Sequence, residues 1–462
     1  MSTKVKLTFK EKVGYALGDT AANIAWRTIG PFLPIFYTDV FGLGTAAVAT
    51  LLLVTRLGDG ITDLIMGNIA DRTKSKWGKF RPWLRWTALP FGIALVLQFT
   101  TPDLSLTGKI IWAYATSIFY TLMYTANNVP YSALMGVMTS DVKERTKLSS
   151  YRFFGAYLGG IIATIGVIAL VDYLGNGDEK LGYQYTMYVL AFILASFSII
   201  TFYTTKERVK AVETSNISDD YSDLVKNKAW LILLFIGFVF VTYNVIKQSS
   251  AMFYFGHYVN DENNIFGSLT AWGGEKGLAG LYLLLLLAIS MVSTVFAPAL
   301  TRKFGKVNLF ILSILFSAIT AGAMYFLEAN QVGMMFFLGI SSEFGAGLMP
   351  VLFFAMLGDA ADYSEYRNGR RATGLIYSAG TFAMKFGGAV AGAITLMVLN
   401  IYSYDGKAIV KTPEMLEGIK LNMSIVPAIF VLIGIVALWF YPLTTKKMKE
   451  IEIALKAKRE AK

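Results

Sequence analysis

Long apolar runs alternate with short polar segments along the whole chain. An α-helix that crosses the hydrocarbon core of a bilayer, about 30 Å thick, needs about 20 mostly apolar residues. Runs of this length cover residues 14–38, 46–66, 83–101, 110–138, 149–171, 185–204, 229–256, 278–300, 307–327, 332–357, 372–400 and 421–442. The pattern predicts an all-α polytopic membrane protein with twelve transmembrane helices.

A polar segment over residues 206–228 separates the first six runs from the last six. We expect an N-terminal six-helix bundle over residues 1–205 and a C-terminal six-helix bundle over 229–442. Residues 206–228 are then a cytoplasmic linker, and residues 443–462 form a basic cytoplasmic tail. Two six-helix halves are typical of transporters built from parallel repeats.

The basic residues predict the orientation. Most of the 42 Lys and Arg residues lie in the N-terminal segment, in every second loop and in the tail. Because Lys and Arg are enriched in cytoplasmic loops, both termini are expected in the cytoplasm. The net charge of +11 is then mainly a topology signal, since the basic residues are scattered over short loops rather than gathered into a nucleic-acid surface. We expect a monomer in the plasma (inner) membrane with no nucleic-acid partner.

The amino-acid composition excludes several classes of function. Hydrophobic residues make up 55% and charged residues 16% of the chain, against about 45–50% and about 25% in soluble proteins. With no cysteine and one histidine, His257, a disulfide framework, a thiolate nucleophile and a multi-histidine metal cluster are excluded. The sequence has no P-loop, GxSxG or HExxH motif, so neither an ATP-driven pump nor a hydrolase is expected. The prediction is a non-enzyme without a cofactor.

Ionisable residues inside the predicted spans are candidates for function. A charge near the bilayer centre costs at least about 2.5–3.5 kcal/mol, so it should face protein or water. These residues are Asp19, Arg27, Arg56, Asp59, Asp63, Arg85, Arg152, Lys247, Glu343 and Lys385. For Asp19 and Arg85, near predicted cytoplasmic helix ends, snorkelling to water is the simpler interpretation. Glu343 is expected to pair with a cation such as Lys247 or Lys385.

Among these residues, Asp59 and Asp63 indicate a binding site most directly. A spacing of four residues places both carboxylates on one helix face, about 6 Å apart along the axis. Two like charges repel strongly in a medium of low dielectric constant, so one acid must hold a proton or both must share a cation. Because oxygen ligands suit a hard cation, the pair predicts a site for H⁺ or Na⁺. The alternative is a static ion pair between Arg56 and Asp59, with Asp63 facing water.

Polar and aromatic residues on spans 1 and 4 suit a polyhydroxylated ligand. The candidates are Asn23, Trp26, Arg27, Tyr124, Thr125, Asn127 and Asn128. Amides bind hydroxyls, aromatic rings cover the apolar faces of a sugar, and Pro130 frees a carbonyl in the preceding turn. Hydrogen bonding between helices is an equally open alternative for the asparagines. Lys385 lies about 20 Å into span 11, too deep to reach water easily.

Several motifs extend over essentially the whole chain. They are Gly14–Asp19, Phe36–Val40, Arg56–Asp63, Trp77–Pro82, Asn128–Tyr131, Glu144-Arg145, Asp359–Tyr363 and Tyr377–Gly388. In these motifs the chain resembles the glycoside-pentoside-hexuronide:cation symporters, the melibiose permease group of the major facilitator superfamily. The segment Tyr441–Thr444 is most similar to the glucuronide and xyloside branch.

The resemblance implies a major facilitator fold and the symport of a glycoside, pentoside or hexuronide with H⁺ or Na⁺ by alternating access. The implied cation-site residues are Asp59, Asp63, Thr125 and Asn128. Of the expected substrate-binding residues, the resemblance implies Arg152 and Lys385; the polar and aromatic pattern of spans 1 and 4 contributes Asn23, Trp26, Arg27, Tyr124, Asn127 and Asn128, and Thr381 on span 11 completes the set. Cytoplasmic ion-pair latches that gate the transporter are expected at Lys79, Arg81, Asp359, Asp362 and Arg371.

The chain departs from the melibiose permeases at three positions. Where those proteins have aspartates on spans 1 and 4, this chain has Asn23 and Asn128, and Ser132 replaces an expected tryptophan. Losing two carboxylates while Arg152 and Lys385 remain makes the pocket more electropositive, which favours an anionic glycoside such as a hexuronide. The departures leave both H⁺ and Na⁺ open as the coupling cation. An uncoupled sugar uniporter or a sugar sensor is the alternative function.

Overall fold

The computed structural model describes residues 6–209, 224–261, 266–267, 277–369, 373–404 and 411–460. The regular elements in these ranges are helices. In chain order they are α1 (Phe9–Ile35), α2 (Thr45–Arg72), α3 (Arg81–Gln98), α4 (Leu106–Met138), α5 (Val142–Gly175), α6 (Glu179–Thr204), α7 (Lys228–Phe253), α8 (Gly277–Phe304), α9 (Lys306–Ala323), α10 (Val332–Asn368), α11 (Thr373–Ile401), α12 (Pro413–Met423), α13 (Ile425–Trp439) and α14 (Thr445–Glu460). Helix α1 continues as a π-helical turn over Phe36–Val40, and α7 continues as another over Tyr254–Tyr258.

Helices α1 to α11 coincide with the first eleven predicted runs, and α12 with α13 forms the twelfth. Eight stretches are long and apolar enough to span a membrane by length and composition: Val142–Gly175, Glu179–Thr204, Lys228–Tyr258, Leu278–Phe304, Lys306–Phe326, Val332–Asn368, Thr373–Ile401 and Pro413–Trp439. Helices α1 and α2 fall outside this set and carry ionisable residues in their membrane segments, among them Asp19, Asp59 and Asp63. The chain is a multi-pass membrane protein.

The last transmembrane segment begins earlier than its hydropathy predicts. Thr412 caps α12 by accepting the N–H of Met415 at 3.3 Å, and Pro413 occupies the first helical turn. The helix breaks at Ser424, whose hydroxyl donates to the carbonyl oxygen of Lys420 at 2.6 Å. Capping chemistry, rather than apolar content, therefore sets where this segment starts.

The chain folds as two compact units. One comprises residues 1–224, 361–379 and 451–462, and the other comprises residues 225–360 and 380–450. The expected boundaries assigned residues 361–379 to the C-terminal bundle, whereas here the end of α10 and the start of α11 cluster with α1 to α6. The physical reason is a set of polar contacts, described below, that these residues make with α2 and α5.

Inside the first unit, α1 packs closely on α5. A Cβ atom on Gly155 would lie 2.3 Å from a carbonyl oxygen of α1, and one on Gly159 would lie 2.4 Å from another. Only glycine allows two helix backbones to approach this closely. The crossing places Asp19 of α1 beside Arg152 of α5.

The second unit has an apolar core of its own, with Phe255, Tyr282 and Phe336 at its centre. The ring centroids of these three side chains lie 4.6 to 5.4 Å apart. Offset and edge-on contacts at such distances stabilise a core beyond simple burial of area. This cluster joins α8 and α10 to the π-helical end of α7.

Candidate functional site

Three oxygen-bearing side chains converge between α2 and α4. The Thr125 hydroxyl oxygen lies 3.1 Å from Oδ1 of Asp59 and 3.0 Å from Oδ1 of Asp63, and all three residues are buried. A hydroxyl has a single hydrogen, so it donates to one carboxylate at a time. The other close oxygen–oxygen approach becomes favourable when a carboxyl group carries a proton or when a cation lies between the oxygens. The arrangement can therefore hold H⁺ or a small hard cation.

Thr62 is a further member of this oxygen cluster that the sequence patterns did not single out. Its hydroxyl donates to the backbone carbonyl of Asp59 at 2.9 Å and lies 3.5 Å from the Thr125 hydroxyl. Thr62 stands three residues after Asp59, a spacing that shares a helix face and would have revealed it. The side chain of Arg56, which the static ion-pair alternative requires, lies outside the described residues.

The two asparagines of α4 have different surroundings. Asn127 is buried, and its amide nitrogen donates to the Thr87 hydroxyl of α3 at 2.8 Å. Asn128 is 8% exposed, and its side-chain amide makes no hydrogen bond with the described part of the chain. The interhelical alternative thus describes Asn127, while the amide of Asn128 is available to a ligand.

This difference predicts separate effects for two matched substitutions. Asn127→Ala should lower the stability of the protein by about 0.6–2 kcal/mol, the usual value of a hydrogen bond between membrane helices, and leave sugar affinity unchanged. Asn128→Ala should weaken sugar binding and leave thermal stability near that of the parent. Thermal unfolding and equilibrium sugar binding, measured on both variants, test the assignment, and a loss of sugar affinity in Asn127→Ala would contradict it.

Aromatic rings of α1, α3 and α4 form a platform in the first unit. The ring of Tyr124 lies 5.6 Å from that of Trp26, 5.9 Å from that of Phe91 and 6.0 Å from that of Tyr120. Asn23 is nearby in sequence to Trp26, and its amide nitrogen donates to the Asp19 carbonyl of its own helix at 3.0 Å. The carbonyl oxygen of the Asn23 side chain is then the group that a ligand hydroxyl could use.

Arg152 forms an ion pair with Asp19 inside the first unit. Its Nε lies 3.2 Å from Oδ2 of Asp19, and its Nη2 donates to the Ser132 hydroxyl at 3.0 Å. The guanidinium also lies 5.2 Å from the ring centre of Tyr131. Asp19 is 3% exposed, so snorkelling to water was the wrong interpretation of this residue. The carboxylate compensates the charge of Arg152.

The second unit pairs its deep acid with Lys247. The Lys247 ammonium lies 3.3 Å from Oε2 of Glu343, and the Ser290 hydroxyl donates to Oε1 at 2.5 Å. The structure thereby decides between the two cations that the sequence offered. Lys385, the other one, and Thr381 lie one helical turn apart on α11. They share a face of that helix and are both partly buried.

Comparison with known proteins places the chain among sugar transport proteins. The family described as "MFS/sugar transport protein" matches residues 14–445. The chain belongs to this family. It is 36% identical to the putative glycoside/cation symporter YagG of Escherichia coli (strain K12), covering 99% of this chain and 96% of that protein. It is 31% identical to the isoprimeverose transporter of Lactiplantibacillus pentosus, covering 99% and 93%.

Comparison with solved structures gives the chain a major facilitator fold. A crystal structure of the major facilitator superfamily transporter FucP in the outward conformation matches with a TM-score of 0.69 at 12% identity, covering 94% of this chain and 98% of FucP. A likeness at this identity concerns the fold alone. The predicted twelve-helix major facilitator fold is confirmed, and so is the resemblance to the sugar symporters of this superfamily.

Polar contacts within the transporter's first unit hold the end of α10 and the start of α11. Nη2 of Arg145 lies 2.5 Å from Oδ2 of Asp362, and the Asp71 carboxylate accepts the N–H groups of Gly374 and Leu375 at 2.9 Å each. These five residues are called the gate cluster below. Two of the contacts cap the first turn of α11 with a negative charge, which the helix dipole favours.

The remaining gate candidates lie elsewhere. Asp359 pairs with Lys306 of α9 at 2.6 Å inside the second unit. Arg371 lies outside the described residues. The Arg81 guanidinium donates to the carbonyl oxygen of Phe202 at 2.8 Å, so its contact is with the end of α6. Lys79 contributes its backbone N–H to Glu207 at 2.9 Å. For Lys79 and Arg81, the described contacts join helices of the first unit rather than form the ion-pair latches expected of them.

Proposed function

We propose that this transporter carries a glycoside, pentoside or hexuronide into the cell together with H⁺ or Na⁺ by alternating access. The observation that carries the proposal is the convergence of Asp59, Asp63 and Thr125 in a buried position. The similarity of the chain to a glycoside/cation symporter and to an isoprimeverose transporter supports a sugar as the substrate. In this proposal both termini lie in the cytoplasm, which the Lys and Arg residues of the loops support, and a single chain suffices for transport.

Coupling follows from the position of the two ligands on α4. Thr125, in the cation cluster, and Asn128, a sugar ligand, are three residues apart and share a helix face. A cation at Asp59 and Asp63 neutralises their repulsion and fixes the face that Asn128 occupies. Because linkage is reciprocal, the sugar strengthens cation binding by the same factor as the cation strengthens sugar binding.

The sugar site is built from groups of different chemistry. Trp26 and Tyr124 cover apolar faces of the ring, and the amides of Asn23 and Asn128 bind hydroxyls. Arg27 and Arg152 are further proposed ligands, and Asp19 compensates the charge of Arg152. Thr381 and Lys385 of α11 are further proposed ligands, with a hydroxyl and an ammonium group.

The positive side chains proposed for the sugar site bear on the charge of the sugar. The electropositive pocket favours an anionic glycoside, as the sequence predicts. Arg27, Arg152 and Lys385 are the positive groups proposed for this site, and Asp19 compensates the charge of Arg152. Uptake of a glucuronide compared with the matching neutral glucoside tests this, and a clear preference for the glucoside would contradict an anionic substrate.

The decisive experiment is uptake into proteoliposomes under separately imposed gradients. A panel of neutral and acidic glycosides is offered with a proton gradient, with a sodium gradient, and with neither. We expect at least one glycoside to accumulate above its external concentration with one of the gradients and to equilibrate when that gradient is dissipated. Equal uptake with and without a gradient would instead indicate a uniporter. Binding without uptake would indicate a sensor.

A further inference from the structure

Glu207 lies three residues beyond the end of α6 and caps a distant helix. Its Oε2 accepts the N–H of Lys79 at 2.9 Å, and its Oε1 accepts those of Phe80 and Arg81 at 2.8 Å each. These amides open α3, where the N-cap residue Phe80 supplies no side-chain cap of its own. Orphan donors at a helix start need an acceptor, and a negative charge there is favoured by the helix dipole. The cap comes from a residue 126 to 128 positions away in the sequence.

Arg81, at the start of α3, in turn caps the end of α6. Its Nη2 and Nε donate to the carbonyl oxygen of Phe202, near the end of α6, at 2.8 and 3.3 Å. The guanidinium also lies 4.9 Å from the centre of the Phe202 ring. A cation at the end of α6 and an anion at the start of α3 each complement the local helix dipole. Glu207, just after α6, therefore caps the start of α3, and Arg81, at the start of α3, caps the end of α6.

The backbone of the α2–α3 loop is shaped around the Glu207 carboxylate. Gly78 has a φ of +112°, and a Cβ atom there would lie 2.4 to 2.6 Å from the carboxylate atoms of Glu207. Only glycine fits both the conformation and the space. Glycine at position 78 is therefore explained by the carboxylate that the loop encloses.

The enclosed loop leads directly to the gate cluster. Trp83 of α3 donates its indole N–H to the Thr73 hydroxyl at 3.0 Å, and the Ser75 hydroxyl donates to the carbonyl of Gly78 at 2.7 Å. Thr73 follows Asp71 by two residues. These hydrogen bonds stabilise the short loop that connects Asp71, which caps α11, with residues 79–81, which Glu207 binds.

We propose that Glu207 is a positioning residue of the gate: by holding the amides of residues 79–81, it fixes the α2–α3 loop and thereby keeps Asp71 against the start of α11. The inference rests on the proposed alternating access and on the gating expected of Asp362, which is extended here to the other residues of the gate cluster. Loss of the Glu207 carboxylate loosens the loop, weakens the cap on α11, and shifts the transporter towards states in which the gate cluster is open.

Cysteine labelling tests this inference, because the chain contains no cysteine of its own. Ser378 is buried against Gly67 at the crossing of α2 and α11, so Ser378→Cys reports when that crossing opens. In this background Glu207→Gln should accelerate labelling by N-ethylmaleimide about fivefold, the ordinary effect of losing one helix cap. Glu207→Asp keeps the charge but shortens the reach, and should give a smaller acceleration. It also replaces Glu207→Gln if that variant fails to fold.

Two controls separate positioning from general loosening. Glu179→Gln changes an exposed glutamate at the other end of α6 and should leave the labelling rate unchanged. Ser198→Cys places a reporter in the buried part of α6, where Glu207→Gln should have no effect on labelling. An unchanged rate at position 378, or equal acceleration at positions 198 and 378, would overturn the inference. The assay needs neither sugar nor coupling cation, so its outcome is independent of whether cation-driven uptake is observed.

Discussion

Replacing Asp59 with asparagine is expected to abolish cation-driven accumulation of sugar while leaving exchange of sugar across the membrane measurable. The amide keeps the size of the side chain and its contact with Thr125, but it has no charge to attract a proton or a metal ion. With the repulsion between Asp59 and Asp63 removed permanently, the site no longer needs a cation to be stable. Sugar affinity should then lose its dependence on the cation, which for linked sites is typically about 5- to 150-fold.

The measurement is concentrative uptake in proteoliposomes, paired with counterflow of labelled sugar in the absence of a gradient. Asp103→Asn, a change of the same type at an exposed loop position, should behave as the parent does. Full concentrative uptake by Asp59→Asn would remove Asp59 from the coupling mechanism. Loss of both uptake and counterflow, with normal folding, would mean that Asp59 is needed for sugar movement itself and not for coupling alone.

The helices and their number follow from local properties, which explains why the sequence predicts them. Twenty apolar residues bounded by polar ones have one stable structure in a bilayer, because every backbone group must find its hydrogen bond within the segment. The pairing of Asp59 with Asp63 is likewise local, since both lie on one turn of α2. The cation-site role of Thr125 came from the family resemblance and stays a prediction, and its hydroxyl lies within 3.1 Å of both carboxylates.

What the sequence did not predict is which distant group each polar residue meets. Asp19 lies near a helix end, where reaching water is the simpler expectation, yet the glycines of α5 bring Arg152 within 3.2 Å of it. Glu207 stands in a polar linker and has no periodicity that would distinguish it, although it accepts the N–H groups of three consecutive residues at the start of α3. Contacts between residues more than 100 positions apart depend on helix crossing and loop geometry, which hydrophobic patterning does not encode.

Replacing Arg145 with glutamine is expected to destabilise the protein strongly and to reduce transport, more than any loss of a surface ion pair would. The Arg145 side chain is fully buried, and Asp362 is nearly so. Removing one partner leaves the other charge in a buried position without this compensation. This typically lowers the free energy of unfolding by about 3–5 kcal/mol. Neutralising both, in Arg145→Gln with Asp362→Asn, should recover most of that stability because no buried charge then remains.

Thermal unfolding and the rate of labelling at Ser378→Cys separate the two consequences of breaking this pair. The single variant Arg145→Gln should unfold at lower temperature, and its gate cluster should open more often. The double variant should fold normally but still label faster than the parent, since an amide pair holds α10 less firmly than a charge-assisted contact. As a control, removal of the Lys447–Glu450 pair, whose charged atoms lie 3.0 Å apart and whose side chains are half-exposed, should cost no more than about 1 kcal/mol. If Arg145→Gln proved as mild as this control, Arg145 and Asp362 would not act as a gate.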